Sequence, residues 1–412
     1  MQVERDPGSS RDRAPGAAAS WGGDTEPEEL RREIRSWIAR HRQEDLAGTE
    51  GTAVAYRRRG GRAAEAYDAW EAASAEAGLI CPQWPVEVGG RGFKGLQMAV
   101  LNEELARAGM PRVNRGMGEN LVGPSIIVHG TPEQRAHFLH RVVTGEDRYC
   151  QGFSEPNSGS DLASLQCRGV VEGDEIVVTG QKVWTSGADA ANMIFCLCRT
   201  DPDAPRHRGI SYVLLPMADN GVTIRPLKQM SGASGFFEVF LDGARAPLFN
   251  VIGGLDNGWR VAMTTLGNER GGSATTQHLR FEREFWELVA AARERGRDRD
   301  PLVRQQLAWA YSHVEIMRYQ GLRTLAGMAA GRQPGPEASI NKLFWSEYHR
   351  RLGEIAMGVL GADALVRPEG DGYPTNRWQA AFLGSRAGTI YAGSSEIQRN
   401  IVGERALGLP RE

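Results

Sequence analysis

The sequence has no long apolar run, almost no net charge and few cysteines, and each absence excludes a class of protein. No uncharged stretch is long enough to cross a bilayer, so we expect no membrane association. Lysine and arginine number 49 and aspartate and glutamate 51, a formal net charge of −2. This balance creates no long-range field that would attract nucleic acid or an anionic membrane surface. What remains is the composition of an ordinary globular protein, with 41% hydrophobic residues.

The five cysteines contain no C-x-x-C pair, and the histidines have no ligand-like spacing. We therefore predict reduced thiols, a cytoplasmic location and no metal. Cys196 and Cys198 alternate within an apolar segment, which predicts two thiols buried on one face of a strand.

The chain begins with a polar segment and continues with helical periodicity. Residues 1–25 lack the apolar centre of a secretory signal and are predicted to be a disordered tail. Thr25 and Glu28 fit a capping box at the start of a helix, and we assign a helical domain to residues 26–148. Further helices are predicted over 97–108 and 118–129, and after Thr131, which precedes Pro132 as an N-cap would.

Strand-forming residues dominate residues 149–251, which we assign to a β-sandwich or barrel domain. A hairpin is predicted to turn at Gly173-Asp174. Helical patterns return over 252–412, first over 259–293 and then after Pro301 and Pro336. This order of helices, strands and helices predicts an α+β fold, and no G-x-G-x-x-G follows a strand to support a Rossmann site. Other predicted strands are 193–199, 210–215, 222–226 and 236–241.

Two segments concentrate groups suited to a planar ligand with many acceptors. Residues 151–162, QGFSEPNSGSDL, crowd serines and glycine into one loop that exposes hydroxyls and main-chain N–H groups. Residues 180–187, GQKVWTSG, add an aromatic face at Trp184 and a hydroxyl at Ser186. Either segment alone is as consistent with an ordinary loop between strands.

Together, in this order and before a long helix, the two segments resemble those of the acyl-CoA dehydrogenases. The resemblance implies helical, β and four-helix C-terminal domains, bound FAD and an acyl thioester substrate carried by CoA or a carrier protein. It also implies an electron-transfer flavoprotein as electron acceptor. Matching motifs cover most of the chain after Glu28: Trp84–Gly92, Glu103–Gly109, Phe236–Pro247 and Ile397–Pro410.

Carried over by position, the resemblance implies roles for individual residues. Phe153 and Ser154 would meet the flavin ring and its edge, Ser186 would bond near flavin N5, and Trp184 would flank the ring. Ser160 would lie beside the CoA arm of the substrate. The full set of implied cofactor contacts is Gln151, Phe153, Ser154, Ser160, Trp184, Thr185, Ser186, Arg295 and Ser394.

The catalytic base needs a separate argument, because many relatives place a glutamate where this chain has Ala392. A subset of the family carries the glutamate on the long C-terminal-domain helix, in an E-R pair that here matches Glu269 and Arg270. We therefore predict Glu269 as the base, with Arg270 orienting it at the substrate. The main-chain N–H of Ala392 still suits polarisation of the thioester carbonyl, a role that needs no side chain.

The far end of the cofactor site departs from the family pattern. Relatives often carry R-x-x-F-G after the long helix, whereas this chain keeps Arg295 without the phenylalanine and glycine. The segment Ala356–Gly361 also lacks the usual Gln and paired glycines. A homotetramer or homodimer is implied by resemblance, and a hetero-oligomer with a related subunit is an alternative. Two functional alternatives also stay open: a flavin oxidase or monooxygenase of the same fold, and a partner subunit of a heteromeric dehydrogenase.

Overall fold

Two compact units make up the described part of the chain. One lies within residues 1–115 and 135–146, and the other within residues 116–134 and 147–412. The side chains of residues 269–271, 328, 329 and 338 lie outside the description. The computed structural model describes residues 21–47, 56, 57, 59–271, 277–330, 335, 338–369 and 374–410.

The first unit is built from helices. Helix α1 buries Leu30, Ile34, Trp37 and Ile38, the face that the apolar spacing predicted. Helix α2 was not predicted, because its many alanines leave little periodicity around the buried Trp70. The helices are α1 (Pro27–His41), α2 (Gly61–Glu76), α3 (Gly95–Ala108) and α5 (Pro132–Thr144), whose first residues belong to the second unit.

The start of α1 corrects two predictions. Glu26, rather than Thr25, is the N-cap residue, and it makes no side-chain cap. The Thr25 hydroxyl instead accepts a hydrogen bond from the Gly22 N–H at 2.8 Å. Trp21 is buried, with the Arg91 guanidinium 5.0 Å above its ring, so residues 21–25 are not part of a disordered tail. Residues 1–20 lie outside the described part of the chain.

The second unit begins with the helical segment predicted over 118–129. Residues 118–122 form a π-helical turn, and helix α4 (Gly123–His129) follows it. Pro124 lacks the N–H that an uninterrupted α-helix would donate to Asn120, which accounts for a break in the regular ladder there. The capping box predicted before α5 is confirmed: the Thr131 N–H donates to Gln134 at 2.9 Å, and the Gln134 N–H donates back at 3.2 Å.

A mixed eight-stranded sheet forms the middle of this unit. The predicted hairpin is confirmed, since Glu172 pairs with Glu175 around its turn. Strands β5 and β7 are not neighbours in the sheet, yet both bury side chains in the same core, so the sheet curls over that core. The strands are β1 (Tyr149–Gly152), β2 (Arg168–Glu172), β3 (Glu175–Ser186), β4 (Met193–Arg199), β5 (Ile210–Pro216), β6 (Val222–Leu227), β7 (Phe236–Pro247) and β8 (Val251–Ile252).

The order in the sheet is β6-β7-β3-β2-β4-β5-β8, with β1 pairing parallel to β4. Cys196 and Cys198 lie fully buried in the sheet's core as free thiols, as predicted. Cys81, Cys150 and Cys167 are likewise buried, and none of the three is in a disulfide.

Helices return after the sheet and pack around a core of their own. Pro301 opens a helix, as predicted, whereas Pro336 and the middle of the helix predicted over 259–293 lie outside the described residues. No described helix combines the length and apolarity that a bilayer crossing requires. The helices are α6 (Gly258–Gly271), α7 (Gln277–Glu294), α8 (Pro301–Ala329), α9 (Ala338–Leu360), α10 (Arg377–Gly388) and α11 (Ser395–Ile401).

The order of helices, strands and helices confirms the predicted α+β fold. The domain boundaries after residues 148 and 251 stay predictions. They differ from the two compact units, which group residues 116–134 with the sheet and the C-terminal helices.

An ion cluster joins α1 to α3 in the first unit. The buried Glu104 carboxylate accepts hydrogen bonds from Arg35 and Arg31, each at 2.6 Å. The bond from Arg35 lowers the pKa of Glu104; burial opposes this shift, and the bond from Arg31 adds to it. The stabilisation of the folded state by the charged Glu104 carboxylate is therefore complete above the ordinary carboxyl pKa. It is lost as the pH falls through the lower pKa of the folded protein.

We predict that Glu104→Gln destabilises the protein at pH 7, because two guanidinium groups lose their charged acceptor. The gap in unfolding temperature between wild type and variant should narrow as the pH falls below about 4, where carboxyls protonate. Thermal unfolding followed by circular dichroism between pH 3 and pH 8 measures this. The control is Glu103→Gln, on the same helix but exposed. The prediction would be wrong if, at pH 7, Glu104→Gln lowered the unfolding temperature no more than Glu103→Gln does.

Candidate active site

A buried ion pair ties together the two segments that the sequence singled out. Lys182 in β3 donates a hydrogen bond to the Glu155 carboxylate at 2.8 Å, and its side chain is fully buried. The same ammonium donates to the carbonyl of Phe153 at 3.2 Å. The Glu155 carboxylate also accepts from the N–H groups of Gln166 at 2.7 Å and Cys167 at 2.9 Å. The loop over 153–166 is therefore fastened to β3 at both its ends.

The charge on Lys182 is maintained despite its burial. Burial by itself lowers the pKa of this ammonium, but the surrounding acidic groups outweigh it. The thiols of Cys196 and Cys167 and the Glu155 carboxylate together hold the pKa above its ordinary value. A second link runs parallel to the ion pair, since the Val183 N–H donates to the Ser154 carbonyl at 2.9 Å.

A strained bulge follows Lys182 directly. Lys182 pairs with Val239 and Thr185 with Phe237, so β3 has one more residue than β7 over this stretch. Trp184 lies in the bulge with a φ of 62°, a left-handed conformation rarely adopted by a bulky residue. Its side chain is 61% exposed and makes an edge contact with the ring of Phe236. Strain of this kind is concentrated at functional sites, where the surrounding structure holds it.

The residues after Trp184 alternate in burial. Thr185 is fully buried, and its hydroxyl finds no hydrogen-bond partner among the described residues. Ser186 is half-buried, as are Ser154 and Gln151 on the segment that Lys182 fastens. These hydroxyl and amide groups, together with the exposed indole, supply what a flat ring with polar edges requires, so the residues present fit a flavin.

The structure refines the expectation for Phe153. Its ring is buried and packs edge-on against Phe195 at 5.6 Å and Tyr212 at 6.0 Å. The ring therefore belongs to the core of the sheet, and only the main chain at this position is left to meet a cofactor. Ser160 lies exposed in the following loop, beside Asp161, which pairs with Arg206 at 2.7 Å.

A second strained turn separates α10 from α11. Ala392 has a φ of 53° and Gly393 a φ of 88°, both left-handed. Such a conformation costs a non-glycine residue about 1–2 kcal/mol, so it persists only where other contacts hold it. The hydroxyl of Ser394, a predicted cofactor contact, accepts from the Ile397 N–H at 3.4 Å and caps α11.

Helix α6 contains Glu269 and Arg270, whose side chains lie outside the described part of the chain. One turn before Glu269, the buried Thr265 hydroxyl lies 2.7 Å from the Ser125 hydroxyl of α4 and 3.4 Å from the Tyr212 hydroxyl of β5. This network fixes α6 against α4 and against the sheet under Phe153.

Arg295 makes contacts within its own chain. Its guanidinium donates to the Ala291 carbonyl at 3.3 Å and lies 3.6 Å from the Asp363 carboxylate. The side chain is still one-third exposed, so its predicted contact with the cofactor stays a prediction.

Three family models match consecutive parts of the chain. They describe the N-terminal domain of acyl-CoA dehydrogenase at residues 24–146, the middle domain at 150–243 and the C-terminal domain at 256–407. This chain belongs to the acyl-CoA dehydrogenase family. It is therefore an oxidoreductase with that family's three-domain fold, as the sequence predicted.

Individual relatives of this dehydrogenase family support the assignment. Acyl-CoA dehydrogenase IpdE1 of Mycobacterium tuberculosis is 43% identical over 93% of this chain and 98% of its own length. Acyl-CoA dehydrogenase FadE34 of the same organism is 40% identical over 83% of this chain, but over 46% of its own length. The solved Tcur3481-Tcur3483 steroid ACAD has 31% identity and a TM-score of 0.74, covering 94% of this chain and 98% of that one.

Some residues that organise this dehydrogenase site escaped the sequence reasoning. Lys182 and Glu155 lie inside the two recognised segments. They are 27 residues apart in sequence, however, and only the folded structure brings them together. A lysine in the interior of a strand whose one other charged residue, Glu175, stands at its start was the available signal. Thr265 and Ser125 gave none, since small hydroxylated residues are common in helices.

We predict that Lys182→Met destabilises the protein by about 3 kcal/mol, because it leaves the Glu155 carboxylate buried without its cation. Flavin content of the purified protein should fall with it, since the loop over 153–166 loses its link to β3. Urea unfolding and flavin absorbance measure the two effects.

The matched control is Arg245→Gln, which removes two exposed ion pairs, one of them with Glu175 at the opposite end of β3. Exposed pairs contribute little to stability, so this variant should resemble wild type. If Lys182→Met also resembles wild type in both measurements, the ion pair does not have the role assigned to it.

Proposed function

We propose that this chain catalyses the FAD-dependent α,β-dehydrogenation of an acyl thioester to the trans-2-enoyl thioester. The observation that carries the proposal is the exposed, strained Trp184 beside a loop fastened by the Lys182–Glu155 ion pair, in a member of this family. The main chain at Phe153, with Ser154, Trp184 and Ser186, would hold the flavin ring. Bound FAD supplies the acceptor for the hydride that leaves the β-carbon.

Glu269 is the proposed base. It takes the proton from the α-carbon, while Arg270 orients it toward the substrate. Two features support this assignment: α6 is fixed through Thr265 one turn earlier, and Ala392 offers no acidic side chain at the alternative position. A carboxylate beside a bound thioester and away from water has its pKa raised toward that of the activated α-proton, which favours the transfer.

The turn at Ala392 is the proposed site of carbonyl activation. Ala392 is left-handed and lies between the end of α10 and the start of α11, so its N–H is not part of the regular hydrogen-bond ladder of either helix. A main-chain N–H directed at the thioester oxygen stabilises the negative charge that develops there as the α-proton leaves.

CoA, rather than a carrier protein, is the proposed carrier of the acyl group. Arg206 and Arg208 are exposed on the loop between β4 and β5, and Arg206 is bonded to Asp161, next to Ser160. Ser160 is the residue proposed to lie beside the substrate arm. Exposed guanidinium groups at this place suit the phosphates of the CoA nucleotide, which a carrier-bound pantetheine lacks.

Assembly with further subunits is also proposed. Helices α7 and α8 expose large apolar side chains, including Trp286 and Tyr311, whose ring centroids lie 6.2 Å apart. Such patches are typical of subunit interfaces. The solved ChsE4-ChsE5 complex from Mycobacterium tuberculosis, 29% identical with a TM-score of 0.70, is a relative that assembles from two different chains. The absent phenylalanine and glycine after Arg295 favour a related second subunit over a second copy. An electron-transfer flavoprotein is the proposed electron acceptor.

We predict that Glu269→Gln retains FAD and thioester binding but slows substrate-driven flavin bleaching by roughly 10²–10⁴-fold, the contribution of a general base. Anaerobic mixing with a panel of acyl-CoA thioesters, followed by flavin absorbance, measures the rate and also identifies the acyl group. Glu294→Gln, an exposed glutamate on α7, is the control. Wild-type bleaching rates in Glu269→Gln would eliminate Glu269 as the base, and no bleaching of wild type by any thioester would eliminate the proposed reaction.

We predict that the double variant Arg206→Gln/Arg208→Gln raises KM for an acyl-CoA roughly threefold to tenfold, a range suited to exposed charge contacts. KM for the matching acyl-pantetheine should not change, since that thioester carries no nucleotide phosphates. Steady-state assays with both thioesters measure the difference, with Arg245→Gln as control. If KM rose equally for both thioesters, the phosphates of CoA would not be bound by Arg206 and Arg208.

A further inference from the structure

The left-handed turn between α10 and α11 is held by two buried side chains. The Gln398 amide donates to the Ala392 carbonyl at 2.8 Å, and the Lys342 ammonium donates to the Gly393 carbonyl at 2.6 Å. Gln398 is 1% exposed and Lys342 5%. The two donors come from different helices, α11 and α9, so the turn is fixed from two sides.

Additional main-chain bonds close the same turn. The Ser395 N–H donates to the Thr389 carbonyl at 2.9 Å, across the base of the turn. A side chain added at Gly393 would place its first carbon 2.5 Å from the Gln398 amide, so the packing favours glycine at this left-handed position. The conformation of Ala392 is thus determined by its surroundings rather than by its own preference.

A lysine is a costly choice for a purely structural donor at this place. Burying an ammonium carries a large desolvation penalty, and a neutral amide such as Gln398 already performs the same task for the neighbouring carbonyl. What an ammonium adds is a fixed positive charge in surroundings with little water. Such a charge is most effective where negative charge develops during the reaction.

We propose that Lys342 is a positioning residue for thioester activation at the Ala392–Gly393 turn. It holds the turn so that the Ala392 N–H meets the thioester oxygen, and its charge stabilises that oxygen as electrons shift onto it. In this step the C–H bond at the α-carbon breaks, its proton passes to the Glu269 carboxylate, and its electron pair forms the carbon–carbon double bond of the enolate. The inference rests on the proposed function, because it assumes a thioester bound at this turn.

The test uses a ligand that stops after proton removal. A 3-thia-acyl-CoA has sulfur at the β position and thus no hydride to lose, whereas its α-proton can still leave. The pH at which half of the bound ligand is ionised is read from its long-wavelength absorbance in the holoenzyme. This quantity reports the acidity of the bound thioester and does not depend on catalytic turnover.

We predict that Lys342→Met raises this ionisation pH by about one unit, a roughly tenfold weaker acid, and lowers kcat roughly 10- to 100-fold. Lys342→Arg should restore most of both, because it keeps charge and donor. Lys342→Gln should keep the turn but not the acidity, and it serves if the Met variant folds poorly. Lys228→Met, at an exposed lysine, is the control.

Three outcomes would overturn the inference. If wild type ionises the ligand and the Met and Gln variants do so at the same pH, Lys342 has no part in activation and only the inference fails. If flavin content and unfolding temperature fall while the ionisation pH stays constant, the residue is structural. If wild type itself does not ionise any 3-thia-acyl thioester, the proposed function fails together with the inference.

Discussion

The ion pair between Lys182 and Glu155 holds together the two segments that the candidate site presents to a flavin. Lys182 holds the start of the serine-rich loop through the Phe153 carbonyl, and Glu155 holds its end through two main-chain N–H groups. A buried pair of this kind contributes little net stability compared with apolar residues of the same size. Its value lies in geometry, because each charge can be satisfied only when the loop and β3 lie in one arrangement.

Two strained positions depend on such supports. Trp184 takes a left-handed conformation immediately after Lys182 and Val183, both of which are bonded to the loop. Ala392 takes one between carbonyls held by Gln398 and Lys342. At Trp184 the supporting bonds run from its neighbours in β3 to the loop, and at Ala392 they come from buried side chains of α9 and α11. Rigid placement of this kind is what binding and charge stabilisation require, since neither then needs the protein to reorganise during reaction.

Local signals predicted what local forces decide. The capping box at Thr131 and Gln134 depends on residues three apart, and the hairpin at Gly173-Asp174 on adjacent residues, and both formed as predicted. The capping box expected at Thr25 failed because that hydroxyl found a partner at Gly22 instead. Helix α2 was missed because alanine gives no contrast between its two faces, and packing of Trp70 in the core decided its position.

The sequence by itself determined the order of helices, strands and helices, the two segments that resemble a flavin site, and the replacement of the usual acid by Ala392. These follow from residue types and short spacings. Only the tertiary structure decided that the Phe153 ring faces the core, that Trp184 stands exposed on a bulge, and that Lys342 reaches the turn 51 residues further along the chain. The reason is physical. The role of a buried side chain depends on which group, distant in sequence, it contacts in the folded protein, and the periodicity of the sequence does not specify that contact.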